Sequence, residues 1–469
     1  MTGPSTDPRA AASAPPKRRG TEAALLGFAV VITVVAQCIV DLTITGSVRP
    51  ELATFGLWIS GLWLAAHLVV RRWAPYADPL LLPAVAVLVG LGLAVIHRLD
   101  LAGEQVNGAA THEDAPVQLI WATLGVALFI GFLVLVRDHR TLSRYAYTLA
   151  LVGLGLLAMP ALLPASISEV NGAKIWIRLA GFSIQPGEFA KICLVVFFAA
   201  YLVDKRDVLA LASRKVAGLE LPRGRDLGPV LLAWVLSILV LVFERDLGSS
   251  LLLFGIFVVM LYIATERASW LVIGMVLFAG GASVAYQVFG HVRDRVDVWL
   301  DPFAYANGMG YQLTQSLFGL GTGGLFGAGL GGGRPDKVPV AKSDFIASAI
   351  GEELGLFGLV AVIVIYLVLV ERGLRTSLVV RDAFGKLLAA GLAFAVAWQV
   401  FVVLGGVTGL LPLTGLTTPF LAYGGSSLVA NFVLVAVLVR ISDAARRPAA
   451  PHPAPQPRLG DAPTEIVKQ

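Results

Sequence analysis

The group in this sequence most suited to chemistry is the carboxylate of Asp344, which stands just before a long hydrophobic segment. A glycine-dense run precedes it, since nine of the fifteen residues in 319–333 are glycine, and a short polar segment separates the two. An ionised group is costly at a membrane edge, so one retained there is a candidate for function. Asp344 is therefore the first candidate for acid–base chemistry or for cation binding.

A second pair of charges, Glu188 and Lys191, lies in the first turns of another hydrophobic segment, directly after Pro186. Proline is favoured in the first helical turn, and residues three apart share one helix face. Two interpretations stay open: a local ion pair that satisfies itself, or a lysine that faces a cavity and meets an anionic substrate. In the preceding loop, Trp176 and Arg178 could be interfacial anchors.

Two further polar turns connect hydrophobic segments. The turn 244–248 carries three charges, and its Asp246 could cap the next helix, where the helix dipole favours a carboxylate. The alternative is a solvated hairpin. The turn 409–427 contains proline, glycine and hydroxyl residues that could line a polar cavity, or it is a tight connection with Tyr423 at the interface.

The glycine run does not by itself indicate a ligand. Glycine permits close backbone approach and positive φ, but the run could also be a hinge or a re-entrant segment buried in protein. No Walker lysine follows it, which argues against an ATP site. The six histidines are scattered without zinc-site spacing. No nucleic-acid partner is predicted, because basic loops are ordinary in membrane proteins.

Membrane helices must position these groups. Of the 469 residues, 57% are hydrophobic and 14% charged, with a mean hydropathy of +0.79, whereas soluble domains carry about 25% charged residues. A bilayer crossing needs about 20 apolar residues, so the pattern predicts an all-α polytopic integral membrane protein with about twelve transmembrane helices. The predicted spans are 24–45, 54–70, 80–96, 118–136, 145–164, 188–203, 227–243, 249–264, 268–290, 345–370, 387–408 and 422–440.

The distribution of basic residues predicts the orientation in the cell membrane. A basic N-terminal tail and basic clusters in alternate loops place both termini in the cytoplasm under the positive-inside rule. The loops 165–187 and 291–344 then lie on the outer face. Residues 1–20 and 445–469, the second rich in proline, are predicted to be disordered cytoplasmic tails, because they cannot bury enough apolar surface to fold.

Six blocks of the sequence resemble the SEDS family of cell-wall polymerases, the RodA, FtsW and SpoVE group. The blocks are NGAKIWIRLAGFSIQPGEFAK, ERDLGSSLL, RVDVWLDPF, GYQLTQSLFGLGTGGLFGAGLG, KSDFIASAIGEELGLFG and PLTGLTTPFLAYGGSS, in the order typical of the family. Several blocks in one order are a specific signal, whereas any one alone is not. The RodA branch is the closer one, with an actinobacterial character.

The resemblance implies a domain organisation. A ten-helix polymerase core occupies residues 76–444 and includes the extracytoplasmic loop 291–344. Two additional N-terminal transmembrane helices lie within residues 21–75, and we expect them to serve partner docking or regulation. Their clearest charge is Asp41, which we expect to reach the membrane interface, because charges near span ends can escape to water.

The resemblance also implies an activity. It predicts a peptidoglycan glycosyltransferase that polymerises lipid II into glycan strands at the outer face of the cytoplasmic membrane during cell elongation, with a role in cell shape. The implied partners are lipid II, the growing lipid-linked glycan, membrane lipids and a class B penicillin-binding protein that supplies the transpeptidase. Two alternatives are a lipid II flippase and an ion-coupled transporter, although the candidate charges lie mainly at the outer edge rather than the midplane.

Site residues follow from the matching motifs. The family's essential acidic residue corresponds to Asp344, which we predict to be the general base, a role typically worth about 10²–10⁴-fold. Lys191 and Lys174, or a divalent cation (Mg²⁺ or Mn²⁺) with Asp344 as a candidate ligand, would stabilise the pyrophosphate leaving group. No organic cofactor is predicted. The residues predicted to bind substrate are Lys174, Trp176, Gln185, Glu188, Lys191, Asp246, Tyr311, Gln312, Gln315, Ser316, Lys342, Ser343 and Ser426.

The sequence departs from the family's pattern at several of these positions. Lys342 stands where histidine is frequent, and the segment at Lys174 retains one cation where two are usual. Ala422 replaces a serine before the Tyr-Gly-Gly-Ser-Ser motif. A second acidic residue of the family's outer loop corresponds to Asp336. With one carboxylate and a pre-activated donor, the resemblance implies direct inversion without a glycosyl-enzyme intermediate.

Overall fold

The computed structural model describes residues 18–107, 113–170, 173–179, 182–206, 214–216, 219–221, scattered positions between 228 and 242, and 246–448. The α-helices are α1 (Arg19–Thr45), α2 (Glu51–Trp73), α3 (Leu81–Asn107), α4 (Asp114–Leu135), α5 (Thr141–Arg144), α6 (Ala146–Leu162), α7 (Ala165–Ser168), α8 (Pro186–Asp204), α9 (Leu247–Thr265), α10 (Ser269–Val288), α11 (Gly290–Leu300), α12 (Tyr311–Gly323), α13 (Ile346–Val379), α14 (Ala383–Val407) and α15 (Gly425–Arg446).

Short strands form three antiparallel hairpins beside these helices, a small departure from the all-α prediction. They pair β1 (Glu169–Val170) with β2 (Ala173–Lys174), β3 (Ile177–Leu179) with β4 (Phe182–Ile184), and β5 (Arg214–Val216) with β6 (Leu219–Leu221). The predicted outer loop 291–344 is also partly helical, because it contains most of α11 and all of α12, as well as a single 3₁₀ turn at Pro335–Lys337.

Ten helices of the described chain are long and apolar enough to cross a membrane, namely α1 to α4, α8 to α10 and α13 to α15. The predicted span 145–164 corresponds to α6, a shorter apolar helix of 17 residues. The predicted span 227–243 is described only at scattered positions, and the predicted tails 1–20 and 445–469 lie mostly outside the described residues. The polytopic helical fold is therefore confirmed with ten candidate spans, whereas the count of twelve stays a prediction.

The helices differ in how deeply they lie in the bundle. In the apolar window of α15, 83% of the residues are buried, and the value for α3 is 78%. The corresponding value for α10 is only 6%. A helix that is apolar all round belongs inside protein or against lipid. Thus α3 and α15 form the protein-packed centre, and α10 presents apolar side chains to the surroundings.

The ends of the described chain lie on one face of the bundle. The Arg19 guanidinium donates to the Ala77 carbonyl, and the Asp443 carboxylate accepts from the Tyr76 amide at 2.9 Å. Arg18 and Arg446 line the same cavity on this face. The groups predicted to do chemistry gather at the opposite face. That the face with the termini is cytoplasmic stays a prediction.

The two N-terminal helices pack closely against the family-like core. Gly90 of α3 makes room for α1, because a Cβ at this position would overlap the Thr33 side chain. The C-terminal part of α1 carries Asp41, whose carboxylate lies 2.8 Å from Nε2 of His97 on α3. Only 1% of Asp41 is exposed. The expectation that Asp41 reaches the interface is wrong, because its charge is paired inside the bundle rather than solvated.

The glycine-rich run is packed against a break in α13. At Gly355, with φ +68° and ψ −169°, the helix is interrupted. The Ala328 amide donates to the Glu352 carbonyl, and the Leu356 amide donates to the Gly324 carbonyl, both at 2.9 Å. A Cβ at Gly327 would overlap the Glu353 carbonyl. The glycines therefore serve close backbone packing, which satisfies polar groups that lipid would leave unpaired.

Candidate active site at the face opposite the termini

The carboxylate of Asp344 lies two residues before α13 and is partly buried. Burial raises its pKa above the ordinary value, whereas a hydrogen bond with Ser343 and the positive charge of Arg295 act to lower it. The carboxylate lies against Gly415, where a Cβ would stand 3.8 Å from Oδ2 and where φ is +73°. A carboxyl group with a raised pKa beside an open backbone position is suited to exchanging a proton with a ligand.

Arg295 on α11 is the cation of this site, and sequence reasoning gave it no role. Its Nη1 atom donates to the carbonyls of Leu413 and Thr414, each at 3.1 Å. One turn later, Trp299 Nε1 donates to the Gly409 carbonyl at 2.9 Å. Together α11 and the 409–418 turn form one wall of the site. The only signal for Arg295 in the sequence was its place in the block RVDVWLDPF.

Asp246 lies on the other side of Arg295 and caps α9. Its Oδ1 atom accepts a hydrogen bond from the Ser249 amide at 2.9 Å, which confirms the capping interpretation. Burial raises the pKa of Asp246, the bonds to Ser249 lower it, the charge of Glu188 raises it and the charge of Arg295 lowers it. Burial lowers the pKa of Arg295, which Asp246 and Asp344 counteract. A substrate contact by Asp246 stays a prediction.

The predicted pair Glu188 and Lys191 is formed and enclosed. Lys191 Nζ donates to Glu188 Oε2 at 2.8 Å and to Gln399 Oε1 at 2.9 Å, and the lysine is 4% exposed. Gln399 Nε2 in turn donates to the Thr417 carbonyl at 2.9 Å. The pair therefore supports the same turn that Arg295 holds. Sequence reasoning missed Gln399, although an amide inside the apolar α14 is the type of signal that marks an interior polar contact.

Two of the predicted residues lie at the start of α15 and before α8. The backbone N–H of Gln185 donates to Ser426 Oγ at 3.0 Å, so these two residues are in contact. The neighbouring Ser427 hydroxyl accepts from Thr417 Oγ1 at 3.1 Å. The Gly-Ser-Ser motif thus fixes the beginning of α15 against both α8 and the 409–418 turn.

Lys342 is held by two carboxylates that sequence reasoning did not connect with it. Its Nζ atom donates to Asp100 at the end of α3 and to Asp114 Oδ2 at 2.7 Å. Burial acts to lower the pKa of Lys342, but these hydrogen bonds raise it overall. The Tyr423 amide donates to the Lys342 carbonyl at 2.7 Å. Burial, together with Asp114, raises the pKa of Tyr423 to about 12.

A second charge cluster fixes the loop that leads to Asp344. Arg98 on α3 donates through Nε to Glu353 and through Nη2 to the Gly333 carbonyl at 2.6 Å. Its Nη1 atom lies 3.8 Å from Asp336, which also pairs with Arg334 at 3.3 Å. The second acidic residue of the outer loop, Asp336, therefore belongs to this cluster.

Four further predicted residues lie on α12. Ser316 on α12 is buried and donates to the Val407 carbonyl at 3.2 Å. Gln315 lines a separate cavity of about 330 Å³ with Glu352, and Tyr311 at the start of α12 is exposed. The neighbouring Gln312 is partly buried. Their roles in substrate binding stay predictions.

The predicted contributors from the 165–187 loop lie in its hairpins. Lys174 is partly buried and pairs in register with Glu169. The Trp176 amide donates to the Ser168 carbonyl at 3.4 Å. Arg178 donates to the Glu169 carbonyl at 2.7 Å. The loop is therefore locally organised by its own backbone, and substrate binding by Lys174 and Trp176 stays a prediction.

The donor set around Asp344 does not form a protein cage for a divalent ion. In the described part of the chain, no group of three or more His, Cys, Asp or Glu side chains is placed to hold a metal. The charged group beside Asp344 is the Arg295 guanidinium, a cation that repels a metal ion. The predicted Mg²⁺ or Mn²⁺ stays a prediction.

Comparisons with known proteins agree with this fold. The model of the family FTSW_RODA_SPOVE, described as cell cycle protein, matches residues 79–447. A peptidoglycan glycosyltransferase RodA of Mycobacterium tuberculosis is 54% identical over 454 residues, which cover 97% of this chain and 97% of that protein. Both findings confirm the resemblance that the six sequence blocks indicated, including its RodA branch.

Solved structures share the architecture. One is a chain from a peptidoglycan synthase complex that coordinates polymerization and crosslinking. It is 26% identical, covers 79% of this chain and 98% of its own length, and has a TM-score of 0.63. The crystal structure of the rod shape determining protein RodA of Thermus thermophilus is 25% identical, covers 78% and 96%, and has a TM-score of 0.55. The chain therefore belongs to the FtsW, RodA and SpoVE family of cell cycle proteins.

Proposed function

We propose that this chain joins lipid II units into glycan strands at the outer face of the cytoplasmic membrane, with Asp344 as the general base. The class of activity is that of the relatives that match nearly its whole length: the chain is a peptidoglycan glycosyltransferase of cell elongation and cell shape. That class favours glycosyl transfer over the flippase and transporter alternatives.

The proposed step is a single displacement. The 4-hydroxyl oxygen of the acceptor's GlcNAc attacks the anomeric carbon of the donor's MurNAc, and the bond from that carbon to the lipid pyrophosphate breaks. The hydroxyl proton passes to Asp344. The observation that carries this role is the position of the partly buried Asp344 carboxylate against the backbone of Gly415, and burial also raises its pKa, which favours a base.

Arg295 has a positioning role in this proposal. Its charge opposes the effect of burial on the pKa of Asp344, so the carboxyl keeps its ionised form available. Its two bonds to carbonyls hold the 409–418 turn against that carboxylate. A preorganised wall of this kind costs no rearrangement during the reaction.

The departing pyrophosphate needs a positive charge. We assign Lys174 to it, because this lysine is partly buried and forms no ion pair with the described residues. Lys191 is enclosed by Glu188 and Gln399, which suits a supporting role. Its direct contact with substrate stays a prediction. The alternative to the general-base role is that Asp344 is the carboxylate ligand of a divalent cation that arrives with the pyrophosphate.

The chain is expected to act with a crosslinking partner, a class B penicillin-binding protein. The related synthase complex is described as coordinating polymerization and crosslinking, which supports such a pairing here. Both termini are proposed to be cytoplasmic, since the face that carries Arg18, Arg372 and Arg446 is rich in arginine. This orientation puts Asp344 outside the cytoplasm.

Polymerisation of purified lipid II tests the proposal. The full-length chain and its partner should produce glycan polymer, and Asp344→Asn should abolish it because the amide cannot accept the proton. Asp294→Asn is the matched control, since Asp294 is an exposed acid on the neighbouring α11 and should leave activity intact. Normal polymer output from Asp344→Asn would overturn the assignment of the base.

A further inference from the structure

Asp344 lies between two anchors of different kinds. On the helix side, Phe345 is fully buried directly before the beginning of α13. On the loop side, the side chain of Lys342 is the anchor, because its Nζ atom donates to Asp100 on α3 and to Asp114 Oδ2 at 2.7 Å. The helix-side anchor is apolar packing, whereas the loop-side anchor depends on one ammonium group.

The backbone that leads to Asp344 is in an unfavourable conformation. Val340 has φ +52°, in the left-handed region that β-branched residues rarely adopt. The backbone N–H of Ser343 closes the turn by donating to the Val340 carbonyl at 3.1 Å. A conformation of this kind persists only where the surroundings hold it. The 340–344 turn therefore needs contacts outside itself, and the side chain of Lys342 makes two of them.

The two carboxylates that hold Lys342 are themselves fixed. The Asp100 side chain is 5% exposed, and its Oδ2 atom accepts from the backbone N–H of Ala115 at 2.8 Å. Asp114 is the first residue of α4, and its carboxylate also accepts from the hydroxyl of Tyr423. Lys342 is thus tied to the last turns of α3 and to the beginning of α4, two helices that pack against each other.

The main chain of Lys342 is tied as well. The backbone N–H of Tyr423 donates to the Lys342 carbonyl at 2.7 Å. Gln118 on α4 holds both neighbours of this tyrosine. Its Nε2 atom donates to the Ala422 carbonyl at 3.1 Å, and its Oε1 atom accepts from the Gly424 N–H at 3.3 Å. The side chain and the backbone of Lys342 therefore join α3, α4 and the segment before α15.

The charge of Lys342 is already compensated. One ammonium faces the carboxylates of Asp100 and Asp114, so one positive and two negative charges leave this group with a net charge of −1. Such a balance does not attract the pyrophosphate of lipid II. It favours a role of the ammonium in holding the protein near the reacting group over a direct contact with substrate.

We propose that Lys342 is a positioning residue for glycosyl transfer, which rests on the proposed role of Asp344 as the base. Its bonds to the two carboxylates hold the 340–344 turn, so that the Asp344 carboxylate stays against the backbone of Gly415. Misplacement of a reacting group by about 1 Å can lower a rate about 10²-fold. The rate of the chemical step therefore depends on an ammonium that acts through the turn rather than on the substrate.

Steady-state polymerisation of purified lipid II by the full-length chain and its partner tests this proposal. Lys342→Met removes both ion pairs and should lower kcat by about 10–100-fold, while KM stays within about twofold because no substrate contact is lost. Lys342→Arg keeps the charge and should recover most of the rate. Lys337→Met is the matched control, since Lys337 is an exposed lysine of the same loop, and it should keep the wild-type rate. A raised KM at unchanged kcat in Lys342→Met would overturn the proposal.

A second variant keeps the test valid if Lys342→Met folds poorly. Lys342→Met with Asp114→Asn removes one of the two carboxylates that would lose their partner, and the amide oxygen can still accept from Tyr423. Its thermal midpoint should lie near that of the wild type, and its kcat should still be low because the turn has lost its tie. A folded double variant as fast as the wild type contradicts the proposal. A rate loss that appears only where the midpoint falls would show a merely structural role.

Hydrogen–deuterium exchange observes the turn without reference to activity. In Lys342→Met, the amides of residues 340–345 should exchange faster, whereas those in the middle of α13 should keep their protection. Lys337→Met should leave both sets unchanged. Exchange of the turn at the wild-type rate in Lys342→Met would show that this lysine does not hold it.

The variant Asp344→Asn separates this proposal from the assignment of the base. Polymerisation by Asp344→Asn would overturn the base, whatever the exchange of the 340–344 turn shows. An inactive Asp344→Asn beside a fully active Lys342→Met would overturn the positioning role alone. An inactive Asp344→Asn beside a folded Lys342→Met with low kcat and unchanged KM is the result expected if both assignments are correct.

Discussion

Two charge clusters on the face opposite the chain termini differ in how completely their groups are bonded. Arg98 uses Glu353, the Gly333 carbonyl and Asp336, and both Arg98 and Glu353 are almost fully buried. Among the described residues, only Ser343 and the charge of Arg295 oppose the effect of burial on the carboxylate of Asp344. Saturated charges hold structure, whereas an incompletely bonded one keeps capacity for a ligand. The contrast separates the support from the reacting group.

The largest effect should come from removing the reacting charge. Asp344→Asn should lower the polymerisation rate by at least about 10²-fold, the range of general-base catalysis, without lowering the thermal midpoint. Burial acts against the ionised form here, so the neutral amide is tolerated. Polymer yield and differential scanning fluorimetry are measured on the same preparation. A fall in stability that parallels the fall in rate would place Asp344 with the structural cluster.

Breaking the cluster around Arg98 should have the opposite effect, with a clear loss of stability rather than a selective loss of polymerisation rate. Glu353→Gln removes the closer carboxylate of buried Arg98 and leaves Asp336 at 3.8 Å, which should destabilise the fold by about 1.5–3 kcal/mol, the value of a hydrogen bond to a charged group. The double variant Glu353→Gln with Arg98→Met should recover part of the stability, because it removes the poorly compensated charge. Unfolding of single and double variants is followed in detergent. A single variant as stable as the wild type would show that this pair does not support the loop.

Two glycines of the glycine-rich run, Gly327 and Gly321, allow its packing against α13 to be tested. Gly327→Ala would force a Cβ into the Glu353 carbonyl at φ +82°, whereas Gly321→Ala meets nothing within 4 Å. We expect the first to cost about 1–3 kcal/mol of stability, as overpacking does, and the second to cost little. Thermal midpoints of the pair decide this. Equal midpoints would mean that the run does not pack against α13 as described.

The smallest effect should be a shift in pH dependence. The charge of Arg295 lowers the pKa of Asp344, so Arg295→Gln should let that pKa rise further above its ordinary value. The ionised base would then be lost at a higher pH, and the acidic limb of the pH–rate profile should move upwards. Arg295→Lys retains the charge and should shift the limb less. An unmoved limb in Arg295→Gln would separate Arg295 from the base.

Hydropathy was enough to predict most of the helices, because crossing a bilayer imposes long apolar runs whatever the partners are. Asp344 could be predicted too, since a carboxylate beside such a run is costly. The partners could not: Arg98 and Glu353 lie 255 positions apart, and Lys342 and Asp100 lie 242 apart. No local spacing encodes such contacts. Asp41 was misjudged for the same reason, because its partner His97 belongs to another helix.

The close fit between Gly90 and Thr33 limits how α1 and α3 can change in evolution. A glycine in the middle of α3 weakens the helix by about 0.5–1 kcal/mol relative to alanine. Here that cost is offset by the approach of α1. We expect a core from a relative with a larger residue at this position to pack poorly against α1 unless Thr33 is also replaced by a smaller residue. Positions 33 and 90 should therefore change together, which links α1 to the stretch that the family model matches.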